Sequence, residues 1–172
     1  GSFGMSSLAE FLDAASWSDG VTITSDTGNN SETAQLLESY YDKYSGQLTF
    51  SGSTLSSLTA ETAVRILSRP DTTIILSLSE LQKLAIAARF TTAFTSDMGL
   101  ARLVETLHDL YKLHAAHFVV LYENNAVVAV DGHVSTTPVR GQSPTQLAAQ
   151  AATWWLQNPT KPFEAITTSL VA

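Results

Sequence analysis

Short apolar runs alternate with helical patterns from Thr72 onward, and this alternation restricts the possible folds more than any other feature. The run Thr73–Leu76 is almost wholly apolar, which is typical of a strand covered on both faces of a sheet. Predicted helices of 10 to 18 residues separate most of the apolar runs. Such spacing favours parallel strands joined by right-handed crossovers. The sequence therefore predicts an α/β fold with a mainly parallel sheet and helices on both faces, a three-layer sandwich.

The same patterns place individual elements along the chain. Predicted strands cover residues 21–24, 47–50, 73–76, 91–94, 118–122, 126–130 and 163–167. Predicted helices cover 7–17, 32–44, 60–67 and 79–88, with a fifth beginning after residue 95 or 96 and a sixth beginning after the cap Ser143. The pair Asn124-Asn125 offers a turn, so Ala126–Val130 is open to being a hairpin-linked strand. Polar loops are expected at 26–31 and at 131–142.

The length of 172 residues suits one domain with a substantial core. We interpret residues 1–5 as the remnant of an expression tag before a native Met5, and residues 6–172 as a single α/β domain. The chain has no cysteine, which excludes disulfides, thiolate nucleophiles and cysteine-held metal clusters. Any metal would have to be bound by His, Asp or Glu, and we expect no bound metal and no cofactor.

The charge balance bears on possible partners. Nine Lys and Arg face 16 Asp and Glu, which gives a formal net charge of -7 and a pI near 4.9. That sign is unfavourable for nucleic acid and for anionic membranes, so neither is an expected partner. The longest apolar runs fall far short of a membrane span, and no signal peptide follows Met5. We expect a cytoplasmic protein.

Three histidines gather near the end of the fifth predicted helix. A pair of histidines three positions apart can bind one metal ion. His114, however, continues the apolar stripe of the helix, whereas His108 points away from it and His117 falls where a strand begins. We expect a core or helix-end role for His114 and no metal site.

The tripeptide Asp131-Gly132-His133 directly follows a predicted strand. His133 with Asp131 is one candidate for a general base and its partner. No serine or cysteine nucleophile stands in a recognisable motif nearby, so no catalytic residue is assigned. A turn built on Asp-Gly accounts for the tripeptide equally well.

The polar segment before the sixth predicted helix is a candidate anion site. It presents hydroxyls, an arginine and a glycine where unpaired helix N–H groups favour negative charge. The alternative is that Ser143 simply caps the helix. The candidate ligand-binding residues are His133, Thr136, Thr137, Arg140, Gly141 and Ser143.

Trp154 and Trp155 point in two neighbouring directions on the sixth predicted helix. One ring can enter the core while the other stays at its rim. An exposed tryptophan on an acidic surface favours a protein contact, so both are candidate interface residues.

Part of the chain resembles a known family. The stretches Phe90–Leu100, Leu110–Leu113 and Phe118–Val120 are similar to the pyrimidine-binding-type domain of 2-oxoacid:ferredoxin oxidoreductases, which use thiamine diphosphate. They also resemble the degenerate copy of that domain in fungal assimilatory sulfite reductase. The helix from Ser143 and the segment Lys161–Phe163 match the next helix and strand of that family.

The resemblance implies a copy that has kept the fold and lost the active site. The family's cofactor-activating glutamate corresponds to Glu80, whose bulky neighbours leave little room for an aminopyrimidine. The diphosphate-metal motif beginning Gly-Asp-Gly is missing from the sequence. From these features we predict a non-catalytic domain that works by protein contact, an assembly or dimerisation module of a larger complex. The alternative is a small anionic-ligand-binding protein or enzyme that uses the loop 131–143.

Overall fold

A computed structural model describes residues 3–24 and 30–172 of the chain. A 3₁₀ turn at Met5–Ser7 precedes the first helix, and a 3₁₀ segment spans Gly52–Ser57. The helices are α1 (Leu8–Ala15), α2 (Ser31–Lys43), α3 (Ala60–Leu67), α4 (Leu78–Ala87), α5 (Leu100–Leu113), α6 (Pro144–Gln157) and α7 (Pro162–Ser169). The strands are β1 (Gly20–Ile23), β2 (Gln47–Ser51), β3 (Thr72–Ser77), β4 (His117–Tyr122), β5 (Asn125–Val130) and β6 (His133–Pro138).

The strands form one six-stranded sheet in sequence order, from β1 to β6. Strands β1 to β4 pair in parallel, whereas β5 is antiparallel to both β4 and β6. The predicted α/β class and the hairpin-linked strand are confirmed. The β4–β5 turn is Glu123-Asn124, one residue earlier than predicted. Parallel strands end together, so β1 to β4 and β6 end at what we call the carboxyl edge of the sheet.

Helices cover both faces of the sheet, as the apolar strands predict. Alternate residues of β3 show this division, because Ile74 and Leu76 pack under the layer of helices α1 to α5, whereas Ile75 packs under α6 and α7. All three side chains are fully buried. A buried parallel strand with no polar face is the local signature of a three-layer sandwich.

Three element predictions are wrong. Residues 91–94 lie in the irregular connection between α4 and α5, since β3 and β4 are direct neighbours and leave no place for a strand between them. Residues 163–167 belong to α7, which begins with Pro162 at its first turn. The predicted loop 131–142 contains β6, so only its ends are irregular. Residues 25–29, most of the polar loop predicted at 26–31, lie outside the described residues.

Two helices begin with a capping box, whereas α5 begins at Leu100 after Gly99 and not after residue 95 or 96 as predicted. Ser143 caps α6 with Pro144 in the first turn, as the sequence predicts, and Gln146 completes a capping box that was not predicted. For α4 the cap is Ser77 with Glu80, not Ser79 with Gln82. Within the described residues, the search for a helix long and apolar enough to cross a membrane finds none.

Candidate functional site

The predicted ligand-binding residues do not converge on one place. His133 starts β6 at the edge opposite the carboxyl edge, and Thr136 and Thr137 follow along the strand. At about 3.3 Å per residue, the six residues of β6 separate His133 from the far end of the strand by roughly 17 Å. Arg140, Gly141 and Ser143 are exposed beyond that end. One small anion cannot contact the whole predicted set.

The tripeptide Asp131-Gly132-His133 is a hairpin turn and the start of a strand. Asp131 and Gly132 both have positive φ, 53° and 78°, as a two-residue hairpin loop of type I′ requires. Nδ1 of His133 lies 3.0 Å from the backbone oxygen of Asp131 rather than near its carboxylate. The turn interpretation therefore accounts for the motif, and the structure gives no acid–base pair here.

Most backbone N–H groups at the start of α6 already have a hydrogen-bond partner within the helix cap. The N–H of Gln146 donates to Oγ of Ser143 at 3.2 Å, and the N–H of Ser143 donates to Oε1 of Gln146 at 2.9 Å. Pro144 has no N–H to offer. Of the first turn, only the N–H of Thr145 is left for an anion, so the anion site at Arg140, Gly141 and Ser143 stays a prediction.

The two tryptophans separate as their spacing suggests. Trp155 is buried at 2% exposure and packs against His117, whereas Trp154 is half-buried. Trp155 is thus part of the domain interior, and of the pair only Trp154 reaches the surface. Its interface role is still a prediction.

The histidines take structural positions. His114 ends α5 as its C-cap and is half-buried, whereas His117 is buried at the start of β4. Burial lowers the pKa of both imidazoles, in His117 to about 4. In the described ranges, no group of three or more histidine or acidic residues is placed to hold a metal ion.

A cavity at the carboxyl edge was not anticipated from the sequence. It has a volume of about 380 Å³ and lies between the 3₁₀ segment and α4, where β2 and β3 end. Its apolar wall comes from Leu55, Leu58, Ala63, Leu84 and Ala87. Its charged groups are Glu80 and Lys83, one turn apart on α4. Open α/β sheets characteristically bind ligands beyond the carboxyl ends of their strands.

Glu80 is held in place by the cap of α4. Its Oε2 accepts the N–H of Ser77 at 2.8 Å and the hydroxyl of Ser77 at 2.9 Å. Within the part of the chain that the structure describes, Oε1 makes no hydrogen bond. The carboxylate is therefore oriented by one oxygen while the other stays available to a ligand.

Gly52 lets the chain pass close to Glu80. A Cβ on Gly52 would overlap the side chain of the buried Leu76 and would lie 3.2 Å from Oε2 of Glu80. A larger residue fits here only if the Leu76 side chain moves and the side chain of Glu80 gives way slightly. The turn after β2 thus forms one wall of the cavity.

Lys83 supplies positive charge at the rim. It is exposed, and the ion pairs between described residues join Arg65 to Asp42 and Lys112 to Asp109 instead. A lysine without a carboxylate partner suits a ligand phosphate or carboxylate. A cavity with one carboxylate, one ammonium group and an apolar wall fits a small amphipathic or phosphorylated molecule.

Comparisons with solved structures identify the architecture. The match to ribokinase of Thermotoga maritima has a TM-score of 0.64 at 12% identity, over 93% of this chain and 50% of that one. A ribokinase-like superfamily protein of Enterococcus faecalis gives 0.69 at 15% identity, over 98% and 57%. The chain has the ribokinase-like fold. Ribokinase of Cryptococcus neoformans in complex with ADP matches at 0.60 and 14% identity, over 90% and 53%.

The ribokinase-like chain spans about half the length of the solved structures it matches. No family model matches its sequence, and no curated protein does. At these identities the likeness establishes the fold, and activity has to be argued from the residues.

The comparisons overturn two predictions. The resemblance to the pyrimidine-binding-type domain of oxidoreductases and of sulfite reductase is wrong, because the matches over nine-tenths or more of the chain are to ribokinases and ribokinase-like proteins. The prediction of a non-catalytic assembly or dimerisation module is contradicted with it, since the fold is that of kinases. Without that family, Glu80 is no longer a cofactor-activating glutamate and has to be judged by its place beside the cavity.

The sequence did contain a signal for this site. Ser77 and Glu80 fit a capping box directly after the most apolar strand, which places a carboxylate at the carboxyl edge. The wall that closes the cavity comes from residues 52–63, far away in the sequence. No local sequence pattern predicts that residues 52–63 pack beside α4.

Proposed function

We propose that this chain is part of a small-molecule kinase and that the Glu80–Lys83 cavity holds the phosphate groups of the donor. The observation that carries the proposal is the place of this cavity, at the carboxyl edge of a sheet whose fold matches kinases along nearly the whole chain. In the reaction, the bond from the donor's terminal phosphorus to its leaving oxygen breaks. The leaving oxygen keeps the electron pair of that bond, a new bond joins the phosphorus to a hydroxyl oxygen of the acceptor, and the proton of that hydroxyl passes to solvent.

The charges in the cavity suit this task. The ammonium group of Lys83 would pair with a phosphate oxygen of the donor, and one oxygen of Glu80 is free to bind a cation. Magnesium ions in such enzymes are held by one or two carboxylates and by the phosphates themselves, so a single well-oriented carboxylate fits that ion. When bound, magnesium would neutralise phosphate charge.

Calorimetric titration with magnesium ATP and with magnesium pyrophosphate tests the proposal. We expect binding that depends on magnesium and that weakens about tenfold in Glu80→Gln, because the cation loses its carboxylate. Glutamine retains the capping box, so this variant should fold normally. Lys83→Ala should weaken binding of both donors.

The matched control is Glu105→Gln, which removes a carboxylate from the exposed face of α5. It should bind as the unmodified protein does. Equal binding by Glu80→Gln and the unmodified protein, or no binding of either donor, would contradict the proposal. In the same titration Arg140→Ala tests the anion site predicted at the start of α6.

The expected cytoplasmic location is part of this proposal, because that compartment supplies phosphoryl donors. Cell fractionation tests it, and recovery of the protein in a secreted fraction would count against it.

A further inference from the structure

The outer edge of β1 is the second surface of interest, and it is independent of the cavity. Strand β1 forms one end of the sheet, and within residues 3–24 and 30–172 no strand pairs with its outer side. Its backbone N–H and C=O groups on that side form a row that another extended chain can join. Edges of this kind accept peptide strands by β-augmentation.

An apolar groove runs beside that edge. It has a volume of about 280 Å³, and its walls include Phe3, Phe11, Val21, Ile23, Leu36 and Tyr40. The rings of Phe3 and Phe11 stand edge to face with centroids 5.2 Å apart, and both are partly exposed, at 42% and 36%. Trp17, directly before β1, is 89% exposed. This end of the molecule therefore concentrates exposed aromatic surface next to an open strand.

The charge around the groove is strongly one-sided. The first 42 residues contain seven of the sixteen carboxylates of the chain and none of its nine lysines and arginines. The rest of the chain has nine of each sign, so the whole net charge of -7 belongs to this segment. Asp42 pairs with Arg65 and Glu38 accepts the N–H of Thr59. The carboxylates of Glu10, Asp13 and Asp19, on α1 and just before β1, have no such partner within the described chain.

We propose that the β1 edge and its groove bind an extended basic segment of a partner protein, with aliphatic side chains at alternate positions and Lys or Arg between them. The aliphatic side chains, spaced by two, enter the groove beside Val21 and Ile23, because alternate residues of a strand share a face. The basic side chains project from the other face of the added strand and are attracted by the net negative charge of this end of the molecule, which includes Glu10, Asp13 and Asp19. A second copy of this chain is disfavoured as the occupant, since two copies would bring like charges together.

Peptides of defined sequence test this. The probe is an acetylated, amidated heptapeptide, Lys-Val-Arg-Val-Lys-Val-Arg, and its controls replace every basic residue by Glu or the central Val by Pro. We expect the basic peptide to bind and to shift the NMR signals of the β1 backbone amides. The acidic peptide should not bind, and the proline peptide should bind weakly because it lacks a ladder donor.

A charge variant separates the docking surface from general electrostatics. The double variant Glu10→Gln with Asp13→Asn should lower the affinity for the basic peptide about threefold at about 20 mM salt. The decrease in affinity should be smaller at about 500 mM salt. The matched control, Glu105→Gln with Asp109→Asn on α5, should change nothing. Magnesium pyrophosphate binding should be unaffected in both, so this test is distinct from that of the kinase proposal.

Four results would overturn the inference. They are no binding of the basic peptide, equal binding of the acidic peptide, shifts confined to α1 with the β1 amides unmoved, and a dimer whose interface is β1.

Discussion

The imidazole of His117 packs edge-on against the indole of Trp155, with ring centroids 4.9 Å apart and planes at 63°. The contact joins the start of β4 to the last turns of α6. Nδ1 of His117 also lies 3.2 Å from Oγ1 of the buried Thr73. The imidazole therefore contacts an aromatic ring and a hydroxyl and is only 6% exposed. Water cannot hydrate it well, so its charged form is disfavoured.

Acid should destabilise the protein through His117. Burial lowers its pKa from 6.5 to about 4, so between these values the unfolded chain binds a proton that the folded chain does not. The free energy of unfolding should therefore fall as the pH drops from about 6.5 to about 4, by roughly 2 to 3 kcal/mol, and level off below. Urea unfolding at several pH values measures this.

His117→Gln should flatten that pH dependence, whereas His108→Gln on α5 should leave it unchanged. An identical pH profile for His117→Gln and the unmodified protein would mean that another group controls acid sensitivity.

The buried ring of Trp155 should contribute far more to the stability of the protein than its N–H group does. Its Nε1 is buried and has no hydrogen-bond partner within the described chain. Trp155→Phe should cost less than about 1.5 kcal/mol, whereas Trp155→Ala should cost about 3 to 5 kcal/mol because it leaves a large cavity. Chemical denaturation of both variants checks this, and a phenylalanine variant as unstable as the alanine variant would refute it.

Arg69 should stabilise the fold through the several hydrogen bonds of its guanidinium group and not only through its charge. Nη1 donates to the backbone oxygen of Asp71 at 2.7 Å and to Thr72, and Nη2 donates to the backbone oxygens of Tyr44 and Gly46. Lysine cannot reproduce these bonds, so Arg69→Lys should cost about 1.5 to 3 kcal/mol. The control is Arg65→Lys, whose exposed ion pair with Asp42 should contribute less than about 1 kcal/mol. Equal losses for the two variants would contradict the prediction.

Gly52→Ala should deform the cavity and lower stability. The new methyl group would overlap Leu76 and press on Glu80, at a cost of about 1 to 3 kcal/mol. Gly99→Ala is the comparison, because nothing lies within 4 Å of its added Cβ, and it should change stability by less than about 1 kcal/mol. Thermal unfolding of the pair decides, and an unaffected Gly52→Ala variant would show that the turn is looser than described.

The sequence predicts the sheet well where burial dictates the pattern. The strand at Thr73–Leu76 and the hairpin after Tyr122 follow from continuous apolar runs and a turn pair, and the structure has both. The strand prediction at Phe163–Thr167 is wrong because a short run that carries Phe, Ile and Thr resembles a strand. Pro162, a preferred first residue of helices, was the better indicator there. Residues 133–138 alternate weakly at the sheet edge, so β6 was missed.

The candidate site was predictable only in part. The cap Ser143 and the turn at Asp131-Gly132 are local features, and local sequence patterns predict them. The cavity forms because Gly52, after β2, lies close to Glu80, after β3. The spacing of residues in the sequence does not predict this contact. Strand β6 separates His133 from Arg140, Gly141 and Ser143, residues that a loop would have brought together, and the anion site at the start of α6 stays a prediction.

Mapping the backbone amide signals during titration with magnesium pyrophosphate tests the central claim most directly. If the cavity holds the donor's phosphates, the largest shifts should fall on the amides of Gly52, Ser77, Glu80 and Lys83, and Glu80→Gln should reduce them. Shifts that cluster elsewhere, or a spectrum unchanged at saturating pyrophosphate, would contradict the assignment of this cavity to phosphoryl transfer.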